Sequence, residues 1–178
     1  MTARTPAVLV TLALFASGGV LAVDTPGGAC SLLISGEIDA ATGEKAGAGT
    51  PTETNVPTGQ GKQETMYACW WPIAAQKAQV VVSMSRLPPG QSAQAIAKQN
   101  TGMDALRAKH YSEESKDFGG TTCSAMTPPA SEKGGMNMIS CTAAAKGMLV
   151  SVVFMSPTKK LSIDQTKTLL DTAVGRIR

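Results

Sequence analysis

Four cysteines behind an export signal constrain this chain more than any other feature. They stand at Cys30, Cys69, Cys123 and Cys141. Ahead of them, Met1–Pro6 carries one cation, Arg4, and Ala7–Ala16 is an apolar run. Ser17, Gly18 and Gly19 break that run, and Val20-Leu21-Ala22 closes it with small residues. This order predicts a secretory signal peptide over 1–22, cleaved after Ala22. The run is too short and too glycine-broken to cross a hydrocarbon layer of ~30 Å. Nothing later approaches about 18 consecutive apolar residues, so no membrane span is expected after cleavage. The mature chain is therefore expected in the periplasm or outside the cell.

An even cysteine count in such a compartment predicts two disulfides. No two cysteines form a C-x-x-C pair, which a zinc ribbon needs to set two ligands on one turn. A lipid-bearing cysteine follows the apolar run directly, with Leu or a similar residue three positions earlier. Gly27 holds that place before Cys30, so Cys30 reads as an internal cysteine. Three pairings of the four remain open on count alone.

The chain has 178 residues, 43% of them hydrophobic, enough for one domain over 23–178 with an ordinary core. Sixteen Lys and Arg against thirteen Asp and Glu leave +3, too little for a nucleic-acid binder.

A helix is predicted after Ser35, which can cap it, with Ile34, Ile38 and Ala41 on one face and Gly43 as its stop. From Glu44 to Lys62 the sequence is rich in Gly, Thr, Pro and Ala, has one branched apolar residue, Val56, and reads as a long mobile loop. Met66–Trp71 reads as a strand closed by Pro72. Gln79–Leu87 reads as its hairpin partner, with Val80, Val82 and Met84 opposed to Val81, Ser83 and Ser85. A Ser92-capped helix follows and restarts past Gly102. Lys109–Asp117, with the single histidine His110, reads as an exposed connection between halves. Met136–Ala145 and Met148–Ser156 form a second hairpin across Lys146-Gly147. The last helix opens with Ser162 and Gln165, a capping-box pair. Ile163, Thr166, Leu169, Leu170, Ala173, Val174 and Ile177 give it one buried stripe.

The expected fold is α+β: an antiparallel sheet built from two hairpins, with helices packed on it. The halves, about 30–109 and 110–178, look like two ββα units. Each carries a cysteine in an irregular lead-in and another in its first strand. That symmetry favours Cys30–Cys69 and Cys123–Cys141.

Chemistry is sparse. Gly59-Gln60-Gly61-Lys62 lacks the upstream glycine and following hydroxyl of a phosphate loop, and a strand rather than a helix follows it. His110, between Lys109 and Tyr111, has no Gly-x-Ser-x-Gly elbow to serve. Thioethers bind Cu(I), but Met136 and Met138 alternate on a strand as core residues do. No catalytic residue, metal or cofactor is expected. Trp70 and Trp71 are adjacent on a strand and must face opposite ways, so one anchors the core. The other is a candidate contact for a ligand or partner.

Cys30-Ser31-Leu32-Leu33, then Glu37-Ile38 and Ala41-Thr42-Gly43, resemble the opening of small secreted bacterial envelope proteins. Many of these are lipoproteins, and they are grouped as a domain of unknown function. The resemblance is specific over about fifteen residues, and the lipid-attachment signal is missing. It implies a cell-envelope location and an α+β fold, and no activity. The expected role is a non-catalytic binding or accessory protein with an envelope partner. The alternative is a carrier of a small apolar ligand between sheet and helices.

Overall fold

The computed structural model describes residues 26–57, 63–73, 77–98, 101–158 and 161–177. The signal segment 1–22 and the glycine loop 59–62 lie outside the described residues.

The chain runs α1 (Pro26–Cys30), α2 (Ser35–Thr42), β1 (Thr50–Pro57), β2 (Gln63–Ile73) and β3 (Ala78–Arg86). There follow α3 (Ala93–Lys98), α4 (Thr101–Ala108), β4 (Ser112–Asp117), β5 (Thr121–Thr127), β6 (Asn137–Ala145), β7 (Met148–Ser156) and α5 (Ile163–Gly175). The strands form one seven-stranded sheet in the order β1-β2-β3-β7-β6-β5-β4, with every neighbouring pair antiparallel. The fold is α+β. The two expected hairpins, β2–β3 and β6–β7, are the centre of this sheet, joined through β3 and β7. Lys146 and Gly147 both take positive φ, 48° and 78°, in the tight turn between β6 and β7. That turn matches the twist of its strands.

Two of the three further strands lie where the sequence reads as connection. The expected mobile loop 44–62 contains β1, whose residues pair with β2 from Thr50↔Trp70 to Pro57↔Gln63. Its Thr and Glu residues suit an exposed edge, and Pro51 is tolerated because an edge strand can turn its nitrogen outward. The expected exposed connection 109–117 contains β4, which pairs with β5. All six residues of β4 are exposed, and its sequence Ser-Glu-Glu-Ser-Lys-Asp discourages pairing with another chain. Alternating polar side chains have no hydrophobic period, so neither strand announces itself.

Pro72 does not close β2, which continues to Ile73. The Pro72 carbonyl accepts from Gly47 N–H at 2.8 Å, on the β1 side. In a strand a residue's nitrogen and carbonyl point the same way, so the missing N–H costs no bond to β3. Ser35 does not cap α2. Ile34 holds the N-cap position, its N–H donating to Glu37 Oε2 at 2.9 Å, and the Ile34 side chain is exposed rather than on the buried face. Gly43 ends the helix as expected, at φ 71°.

Cys69, Val82, Val152, Cys141 and Cys123 are consecutive partners across β2, β3, β7, β6 and β5. Directly opposed residues share a face, and all five are fully buried. Trp71, Val80, Met84, Val150, Phe154 and Ile139 fill the neighbouring rows of this inner face; Ile38, Leu169, Leu170 and Ala173 cover it from the helices, and Leu32 and Leu33 from the α1–α2 connection. Each buried Val, Leu, Ile, Met or Phe here contributes roughly 1.5–3 kcal/mol on burial. The two disulfides fasten the same layer: Cys30 of α1 joins Cys69, and Cys123 joins its register partner Cys141.

The halves differ in their surroundings. Cys30 sits in a helix and Cys123 in a strand, neither in an irregular lead-in. α5 packs on the inner face, whereas α3 lies on the outer one. There Ala93 and Met126 are buried apart from the main core.

Candidate functional site

The outer face of β2, β3, β7 and β6 has an unusual composition. One row runs Trp70, Val81, Val153, Ser140; the next runs Ala68, Ser83, Ser151, Thr142. A third runs Pro72, Gln79, Met155, Met138, and a fourth Ser85, Leu149, Ala144. None of these side chains is charged. A solvent-facing sheet side ordinarily alternates apolar core residues with charged or polar ones outside, and soluble surfaces carry charge at roughly 25–35% of positions. α3 packs on the β5–β6 end of this face.

Trp70 is the prominent feature of this face. Period-two alternation sends Trp71 inward, where it is 2% exposed, and Trp70 outward, where it is 37% exposed. The Trp70 indole Nε1 donates to Thr52 Oγ1 on the edge strand at 3.0 Å. This bond fixes the ring against β1 with its polar edge satisfied and its apolar body available, the form in which tryptophan serves as an anchor. Val153, half-buried, extends the apolar surface along the row past Val81, which is itself buried, as are Ala68 and Thr142 in the next row. The sequence brings the two tryptophans to notice; the missing charge is visible only once strands separated by some seventy residues are set side by side.

The remaining candidates fall elsewhere. His110 is exposed in the left-handed turn after α4, at φ 61°. Met138 lies on the outer face between its register partners Met126 and Met155, and Met126 is fully buried. Among the described residues no group of three or more His, Cys, Asp or Glu is arranged to hold a metal. No described helix is long and apolar enough to cross a membrane.

Two arginine–carboxylate clusters fasten elements to one another. Arg176 donates from Nη1 to Leu32 O at 3.0 Å and to Glu37 Oε2 at 2.9 Å, and from Nη2 to Glu37 Oε1, joining the C-terminal end of α5 to the start of α2. Partial burial pushes the Glu37 carboxyl upward, but the bonds from Arg176 and the Ile34 N–H outweigh it and hold the group below the ordinary carboxylate range. Arg107 clamps Glu113 at 2.7 Å, tying α4 to β4, and holds that carboxyl low as well.

No protein family matches the chain, and neither does any curated protein or solved structure. The arrangement of its own residues therefore carries the functional reading.

A concavity lies on the inner side. The N-terminal end of α5 stands off β4, β5 and β6, leaving a half-open cleft of about 190 Å³. Ile139, Phe154 and Leu161 form its apolar wall, and Glu114, Lys116 and Asp164 form its rim. This is smaller than the roughly 300–1,000 Å³ of a drug-sized ligand pocket.

Proposed function

We propose that this chain is an exported, non-catalytic binding or accessory protein of the bacterial cell envelope. In this reading it engages a protein partner through the outer face of its sheet, with Trp70 as the anchor. One observation carries the proposal: four rows across β2, β3, β7 and β6 that hold no charged side chain, with a fixed, exposed tryptophan at their edge. Exposed apolar surface marks interaction sites in soluble proteins, and here it is Trp70 with half-buried Val153, Met155 and Leu149. The two disulfides are compatible with an oxidising compartment. The resemblance of Cys30–Leu33 and Glu37–Gly43 to secreted envelope proteins points to the same place.

The test is capture from envelope extract with the mature protein, compared across three single variants. Trp70→Lys and Val153→Lys put a charge into the proposed interface. Ile34→Lys puts one on an exposed apolar residue of α2. Loss of a central anchor costs at least about 2 kcal/mol, roughly 30-fold in affinity. Trp70→Lys and Val153→Lys are expected to lose the captured partner, with far-UV circular dichroism unchanged, while Ile34→Lys retains it. Equal capture by all three would defeat the proposal.

A further inference from the structure

The cleft beneath α5 is a site of its own, on the opposite side of the sheet from Trp70. Asn137 lines it from the first position of β6 and is 9% exposed. Its Nδ2 donates to Ser156 O at 3.4 Å, which fixes the sense of the amide, since the reversed group would set two acceptors together. Among the described residues its Oδ1 is then buried without a hydrogen-bond partner. A buried acceptor left unpaired costs free energy that an incoming donor recovers. The rim adds a preference of sign. Glu114 and Asp164 supply two carboxylates against one ammonium, Lys116, whose Nζ is 3.9 Å from Asp164 Oδ2. The N-terminal end of α5 would favour an anion, but Asp164 in its first turn and the Ser162–Gln165 capping box already answer it.

From this arrangement we infer that the cleft binds a small primary ammonium compound with a short apolar body. The ammonium donates to Asn137 Oδ1 beside Glu114, and the apolar body lies against Ile139, Phe154 and Leu161. A cavity of ~150 Å³ holds a benzene ring. A volume of about 190 Å³ therefore suits a branched alkyl chain of a few carbons.

The experiment titrates the mature protein with 3-methylbutylamine, 3-methylbutanol and 3-methylbutanoate, three probes of one shape and different heads. Binding is followed by the NMR shifts of the Asn137 side-chain amide and the Ile139 methyl groups. Saturable binding is expected in the order amine, alcohol, carboxylate, with the amine at least tenfold tighter than the carboxylate. Asn137→Leu removes the acceptor at similar volume and is expected to weaken the amine at least tenfold, read on Ile139. Glu114→Gln, at an exposed position that leaves the fold alone, is expected to weaken it several-fold and to flatten its salt dependence. Absence of saturation at tens of millimolar amine would overturn the inference. So would an alcohol or carboxylate that binds as well as the amine, or an amine indifferent to both substitutions. The Trp70 variants bear on none of these outcomes.

Discussion

Replacing Cys30 and Cys69 together by alanine opens a loop with a sequence separation of 39, and replacing Cys123 and Cys141 opens one of 18. In the chain-entropy model the cross-link stabilises by restricting the unfolded chain, and the effect grows with the logarithm of loop length. The two losses come to about 4 and about 3 kcal/mol, a difference of about 0.7 kcal/mol. Both losses are large against a total of roughly 5–15 kcal/mol for a domain. At about 2–4 °C per kcal/mol for a chain of this size, the melting temperature should fall by roughly 8–16 °C for the first pair. The cavities are nearly matched: Cys69, Cys123 and Cys141 are fully buried in one row of the inner face, and Cys30 packs against the same core. Urea unfolding monitored by near-UV circular dichroism gives both stabilities and both slopes. The expected result is a greater loss for Cys30–Cys69. A loss below 1 kcal/mol for either pair, or a clearly greater loss for Cys123–Cys141, would refute the loop-length reasoning.

Gly49→Ala should destabilise by about 1–3 kcal/mol, as overpacking does. Its new Cβ would lie 2.8 Å from both Cys69 Sγ and the Trp71 ring, and thermal melting reads the loss. Leu170→Asp should unfold the protein in the same assay, because Leu170 is fully buried in the stripe of α5, while exposed His110→Ala should melt as the parent does. Glu37→Gln should be less stable than the parent at pH 7. A carboxylate held below its unfolded value contributes stability above that value and loses it as pH falls through the folded one. The two urea midpoints should therefore converge below the ordinary carboxylate range of about pH 4. A constant gap down to pH 3 would show that the Arg176 bridge is not its source.

The centre of the fold is legible in the sequence because its residues are chosen by burial. Val80, Val82 and Met84, or Val150, Val152 and Phe154, alternate strictly, and Ser162 with Gln165 announces α5 locally. The edges are not legible for the opposite reason. β1 and β4 are held by backbone pairing to β2 and β5, and backbone bonds leave no mark on side-chain choice. Pro72 misleads for a related reason: whether a proline ends a strand depends on which neighbour its nitrogen faces. Of the Trp70 face, the tryptophan is visible in the sequence and the absence of charge around it is not. The cleft leaves no signal, since the lone acceptor of Asn137 exists only once Ser156 has taken its amide.

Covalent footprinting of the outer face tests the central proposal most directly. The mature protein is labelled with a photogenerated carbene, alone and bound to the partner captured from envelope extract, and labelling is mapped by residue. The proposal predicts that Trp70, Val153 and Met155 lose label in the complex while exposed Ile34 on α2 keeps it. Undiminished labelling of Trp70, with protection over α2 and α5 instead, would contradict it.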